Sequence, residues 1–204
     1  MKIPTITTRR LVLRPFTERD VGPLHRILCE EGVLRYFPNP NPPARDAVER
    51  FVVDQLRRWW QDGFGWWAVT PRSRRALIGW NGLQFLPETN EVEVGFLLSR
   101  EFWGRGLALE GALAGLKYGF DTLGLESIIA LVHPENRASR RVIEKLGMSF
   151  VDRARYFGME VDRYRIAGGR SAVRHASGGK RSTSGTKRTR PQRGRRRSGS
   201  EDRH

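Results

Sequence analysis

The sequence predicts an α/β domain, a mixed and mostly antiparallel sheet with helices on both faces, followed by a disordered C-terminal tail. Three observations predict it. Apolar residues recur with strand and helix periods in the order β-α-α-β-β-β-α-β-α-β-β across residues 1–166. The three consecutive central strands are joined by connections too short to hold a helix, which makes them an antiparallel meander. Charge is also divided unevenly along the 204 residues. Residues 1–166 hold 25 Lys+Arg and 20 Asp+Glu, a net of +5, whereas 167–204 hold 12 and 2, a net of +10.

Arg10-Leu11-Val12-Leu13-Arg14 alternates and stops at Pro15, a first strand. Thr17-Glu18-Arg19-Asp20 is a capping box, and it opens a helix with the stripe Val21, Leu24, Ile27 and Leu28. A stiff Pro/Asn loop, 38–43, leads to a helix from Ala44 to Gln61 on which Val48, Phe51, Val52, Leu56, Trp59 and Trp60 fall at helical spacing. Phe64–Thr70, Ala76–Phe85 and Glu91–Leu98 form the meander, linked by 71–75 and 87–90. After Trp103-Gly104-Arg105-Gly106 a helix to about Thr122, an apolar strand Ser127–His133 and a helix Asn136–Leu146 follow. Gly147 is placed as the C′ cap of that last helix. Strands at 149–157 and 160–166 complete the domain, and the boundary falls at residue 166.

Composition excludes several classes. No run of 18 apolar residues exists to span a membrane, and no apolar stretch follows Met1–Arg10 to act as a secretory leader. A lone cysteine, Cys29, rules out an internal disulfide and a multi-cysteine zinc site, and it suits a reducing cytoplasm, where the protein is expected. His25, His133, His175 and His204 show no ligand spacing, so no metal is expected. Segment 167–204 has no aromatic and hardly any aliphatic residue, too little to offset chain entropy, and is expected to be disordered. It reads either as an arm contacting the ribosome, RNA or DNA through counterion release, or as a solvated extension without a dedicated partner.

The chemistry concentrates in two segments. In the first, the strand Glu93–Leu98 runs through Trp103-Gly104-Arg105-Gly106-Leu107-Ala108-Leu109-Glu110 into a helix. Glycines let backbone approach a phosphate, and a helix N-terminus offers it unpaired N–H groups. A Gly pair at such a junction is also compatible with a plain tight turn, and the Gly-Lys-Ser/Thr of a Walker A loop is missing. The second segment is His133-Pro134-Glu135-Asn136-Arg137-Ala138-Ser139, then Val142-Ile143-Glu144-Lys145-Leu146-Gly147-Met148. Together these resemble the GNAT superfamily of N-acetyltransferases, most closely its ribosomal-protein-alanine (RimJ/RimL-type) branch. Thr8–Pro15 and Ile78–Leu83 match that branch too, so the resemblance covers roughly residues 7–166.

The resemblance implies a GNAT-type sheet whose strands 91–98 and 127–133 splay at an acetyl-CoA site. Acetyl-CoA would be the co-substrate, its pyrophosphate on backbone N–H groups of the loop Gly104, Arg105, Gly106, Leu107 and Ala108. Its pantetheine arm would run along Phe96, Leu97 and Leu98 and meet Asn136. The tyrosine that the broader superfamily places seven residues after that asparagine is Ile143 here. Ser139 matches the serine that serves the closer branch as acid for the leaving thiolate; its other reading is a first-turn residue bonding a backbone N–H. Met148 replaces the usual phenylalanine, a core change.

Glu93 is the candidate general base, with Glu91 alternating onto the same face as a substitute. Glu93 would otherwise be an exposed strand residue paired with an arginine. Tyr156, Tyr164 and Asp162 either line the acceptor cleft or serve packing and surface. Cys29 is expected to pack on the sheet, and His133 to order its loop. Trp59, Trp60, Trp66, Trp67 and Trp80 are expected mostly in the core, with one or two walling the substrate side. Arg137, Arg140 and Arg141 either meet the CoA 3′-phosphate or solvate a helix face. The implied reaction is direct acetyl transfer to a primary amine, most naturally the N-terminal α-amine of a ribosomal-protein-like acceptor. The alternatives are a small amine (amino acid, polyamine or aminoglycoside) and a non-catalytic acyl-CoA- or RNA-binding protein on the same fold. A monomer or a homodimer fits equally.

Overall fold

The computed structural model describes residues 2–168 except residue 75. What the sequence implies for the basic tail beyond residue 168 lies outside them. Eight strands form one sheet in the order β1-β2-β3-β4-β5-β6-β8-β7. They are β1 (Ile6–Thr7), β2 (Leu11–Arg14), β3 (Trp66–Pro71), β4 (Gly79–Leu86), β5 (Glu91–Leu98), β6 (Ser127–Val132), β7 (Ser149–Tyr156) and β8 (Met159–Ala167). The helices are α1 (Val21–Leu28), α2 (Arg45–Asp62), α3 (Leu107–Lys117) and α4 (Arg137–Lys145). Among the described residues no helix is long and apolar enough to cross a membrane.

The expected order of elements is present with five adjustments. Two-residue β1 pairs with β2 through Ile6–Leu13 and is too short to show a period. β3 starts at Trp66 and not at Phe64, while β4 starts at Gly79 and not at Ala76. At Gly79 φ is +146°, and a Cβ there would lie 2.0 Å from the Leu97 carbonyl oxygen, so the chain joins the sheet at a glycine. α3 gives way to a π-turn over Tyr118–Thr122, and β8 runs one residue past the expected boundary. Asp20 closes the capping box by accepting the Thr17 N–H at 2.8 Å. Gly147, at φ +79°, ends α4 as expected.

Both faces are covered. α1 and α2 bury Leu24, Ile27, Val48 and Val52 on Trp66, Ala68, Trp80 and Leu97. α3 and α4 bury Leu107, Ala112, Leu116 and Ile143 on the other face, against Leu83, Val94, Ile128 and Ala130. The β7–β8 hairpin brings Tyr156 and Val161 onto Leu86 and Ile129. Every strand pair is antiparallel except β5–β6. That parallel pair has a single registered partnership, Glu93–Ile129, against a full ladder from Gly79–Leu98 to Leu86–Glu91 between β4 and β5. Beyond Glu93 and Ile129 the two strands part, as the splay expects.

Candidate active site

The parting of β5 and β6 places three groups of residues around one gap. The first is the loop from β5 into α3. Gly104 and Gly106 stand at φ +72° and +71°, and a Cβ on Gly104 would meet nothing within 4 Å. Conformation, not space, therefore calls for glycine there. α3 starts at Gly106 without a side-chain cap, which leaves first-turn N–H groups and the positive end of the helix dipole open to an anion. The loop is tied down from the turn between β1 and β2. Glu110 accepts from Thr8 Oγ1 and from the Arg10 N–H, both at 2.7 Å, and pairs with Arg10 Nε at 2.6 Å. Arg10 Nη1 in turn donates to the Arg105 carbonyl at 2.9 Å. Trp103 Nε1 donates to the Leu98 carbonyl at 2.7 Å, and Leu97 turns its carbonyl toward Gly79 and Trp80 of β4, so of the three expected pantetheine contacts Phe96 alone turns its carbonyl to the parted edge.

The second group opens α4. Asn136 is the N-cap, its Oδ1 accepting the Ser139 N–H at 3.0 Å. Its Nδ2 and the Ser139 hydroxyl have no partner among the described residues, so Ser139 takes part in the cap through its backbone and keeps its Oγ for other use. Arg140 bonds the Pro134 carbonyl at 2.6 Å and Asp162 at 2.8 Å, and Asp162, 4% exposed, also receives Arg153 at 2.8 Å. These two residues fasten α4 to β8. Arg137 and Arg141 are exposed on the helix.

The third group holds two carboxylates two residues apart in opposite surroundings. Glu91 accepts from Tyr156 at 2.8 Å, from Arg163 at 3.1 Å and from Arg165 at 2.6 Å. Burial alone would raise its pKa, yet those hydrogen bonds and the Arg163 charge together hold it below the usual carboxylate value. Glu93 has no arginine partner among the described residues. Gln84, its register partner on β4, donates at 3.3 Å, and the Leu131 backbone N–H also reaches it. Part of its surface still meets solvent, but the carboxyl lies deep enough that burial pushes its pKa up to about 8, against the opposing Leu131 bond. Glu91 is thereby an ion-pair residue and Glu93 the free one. Tyr156 is committed to Glu91, and Tyr164 is buried in the core against Phe150, so both serve packing.

Aromatic rings wall the face that carries Glu93. Trp66 and Trp80 stack at 4.6 Å, close enough over Gly95 that a Cβ there would lie 2.7 Å from Trp66. Phe37 meets Trp80 edge-on, and Tyr36 packs on His133, bringing the α1–α2 loop across to the end of β6. Two expectations change. Cys29 is exposed, with its sulfur 3.7 Å from His25 Nε2, because it lies about 200° around the helix from core-facing Ile27. Trp60 is 63% exposed, a quarter-turn from buried Trp59. The Glu110 tether, Gln84 and Tyr36 went unread in the sequence; their roles arise from partners far along the chain.

The acetyltransferase (GNAT) domain model matches residues 10–149. A spermidine N(1)-acetyltransferase of Escherichia coli K12 is 29% identical over 145 residues, 67% of this chain and 72% of that protein. The crystal structure of the acetyltransferase from Agrobacterium tumefaciens C58 superposes with a TM-score of 0.72 at 28% identity, over 81% of this chain and 95% of that one. RimL, the ribosomal L7/L12 α-N-protein acetyltransferase solved in complex with coenzyme A, shares the fold with a TM-score of 0.69 at 16% identity, over 80% and 98% of the two chains. A family match over this much of the chain, on a sheet that parts between Glu93 and Ile129, identifies the protein as a member of the GNAT family and an N-acetyltransferase.

Proposed function

We propose that the protein transfers acetyl from acetyl-CoA to the N-terminal α-amine of a protein acceptor, as RimJ/RimL-type enzymes do. The observation that carries this reading is that Glu93 stands on the parted strand with Gln84 and the Leu131 N–H for partners and no ion pair among the described residues, burial raising its carboxyl to about 8; such a base serves an α-amine at about 7.7–8.0 more readily than a lysine at about 10.4. RimL, with the same fold, acts on an α-amine by its name. The spermidine acetyltransferase relative supports a polyamine acceptor instead. Against it, Glu91 is committed to Arg163 and Arg165, which leaves one carboxylate on this strand face where a polycation would favour several.

Acetyl-CoA supplies the thioester. The open N–H groups of Gly104–Ala108 suit its diphosphate, the parted edge at Phe96 suits its pantetheine arm beside Leu97 and Leu98, and the unpaired Asn136 Nδ2 suits an amide carbonyl of that arm. Glu93, as carboxylate, takes a proton from the acceptor ammonium through an intervening water. The neutral amine attacks the thioester carbonyl, the C–N bond forming as the C–S bond breaks, and the surplus proton of the new amide nitrogen passes to the departing sulfur, giving the free thiol. The Ser139 hydroxyl hydrogen-bonds the departing thiolate, which needs no strong acid because its thiol has a pKa of roughly 8.5. The test is mass-spectrometric localisation of acetyl groups after incubation with acetyl-CoA and a panel of N-terminal peptides, spermidine, free amino acids and aminoglycosides. Acetylation of peptide α-amines in preference to the rest is expected, and preferred acetylation of spermidine would replace the reading.

A further inference from the structure

The loop between α1 and α2 makes a contact at the end of β6 that the chemistry above does not use. Tyr36 lies on His133 with ring centroids 5.2 Å apart and planes at 30°. The next residue, Phe37, meets Trp80, which lies on Trp66, so the loop is seated on the sheet face that α1 and α2 cover. Glu93 alternates onto that same face with Gly95 and Leu97. His133 is two residues beyond Leu131, whose N–H bonds the Glu93 carboxyl. The pair therefore stands at the mouth of the gap, on the acceptor's side of it.

The ring's polar atoms are divided. Nδ1 accepts the Glu135 N–H at 3.2 Å, which in the neutral imidazole leaves the proton on Nε2. Nε2 has no partner among the described residues. A half-buried N–H donor whose direction is fixed by a stacked ring and a backbone bond suits a carbonyl oxygen. The first carbonyl of a peptide acceptor is its nearest polar group to the α-amine.

We propose that His133 determines acceptor class: its Nε2–H donates to the first peptide carbonyl of the acceptor, turning the α-amine toward Glu93, while Tyr36 holds the imidazole. This rests on the protein-N-terminus reading. Polyamines and aminoglycosides offer no such carbonyl, so the contact rejects them by leaving a donor unpaired.

The test compares a good N-terminal peptide with its analogue in which the first carbonyl is reduced to methylene, using the full chain and the variants His133→Ala, His133→Gln and Tyr36→Ala. The change in amine basicity between the two acceptors is common to all four proteins and cancels in the cycle. His133→Ala should raise peptide KM about tenfold, the loss of one hydrogen bond, with kcat and acetyl-CoA KM within about twofold. Its preference for peptide over analogue should shrink by the same factor. His133→Gln, which restores an N–H near the Nε2 position, should recover most of the preference, and Tyr36→Ala should lose part of it. An unchanged preference in His133→Ala, or equal loss on both acceptors, overturns the inference. Absence of peptide turnover by the unsubstituted chain is a separate result that removes the acceptor reading itself.

Discussion

Glu93→Gln tests the acid–base assignment, because the amide keeps the shape and the Gln84 and Leu131 neighbours while removing the ionisable group. With a pKa of about 8, roughly one Glu93 in ten is charged at pH 7. Saturated turnover should therefore rise about tenfold between pH 7 and a plateau above pH 9. Loss of a general base lowers kcat by about 10²–10⁴, and the remaining rate in Glu93→Gln should lose this pH dependence. Stability supplies an independent reading. The folded pKa lies above the ordinary carboxylate value of 4.5, so the unfolded chain ionises first. The stabilisation present below that value is then lost as pH rises toward 8. The whole displacement corresponds to at most about 5 kcal/mol; because water reaches part of the side chain, about 1–3 kcal/mol is the expected effect. Melting curves of the two proteins should diverge by about 2–4 °C per kcal/mol between pH 5 and pH 9, with Glu93→Gln the more stable at high pH. Parallel melting curves, together with kcat within threefold at all pH values, would refute the reasoning.

Three further substitutions separate the parts of the site. Ser139→Ala should lower kcat about 10–100-fold with acetyl-CoA KM within twofold, since the hydroxyl is asked to act on the leaving thiolate alone; an equal kcat in steady-state assays would end that role. Glu110→Ala releases Arg10 and Thr8 from the first turn of α3 and should weaken acetyl-CoA binding about tenfold by calorimetry, with little change in the kcat of the saturated enzyme. Asp162→Ala leaves Arg140 and Arg153 without their shared carboxylate. It should cost about 3 kcal/mol in denaturant unfolding, and a change under about 0.5 kcal/mol would show that the pair does not anchor α4.

Local signals were legible. Gly104, Gly106 and Asn136 act through their own backbone surroundings, and each stands where the motif places it. The apolar stripes of α1 and α2 likewise gave their buried faces, because a helix period is read from neighbours. The choice between Glu91 and Glu93 was not legible, since both alternate onto one face and differ only in what stands opposite. Tyr156, Arg163 and Arg165, which neutralise Glu91, come from a hairpin more than sixty residues away that curls toward β5. Cys29 and Trp60 show the other failure. Each sits one or two positions from a core residue; apolar character assigned Cys29 to the core and an over-wide helical stripe assigned Trp60, where helix geometry turns both to solvent.

The most direct test of the account is continuous measurement of free thiol released from acetyl-CoA by the full chain, with an N-terminal peptide as acceptor and the same peptide carrying a blocked α-amine as control. The account predicts release that depends on the free α-amine and rises through pH 8. Release that is equal with the blocked peptide, or absent with every amine despite binding of acetyl-CoA, would contradict it.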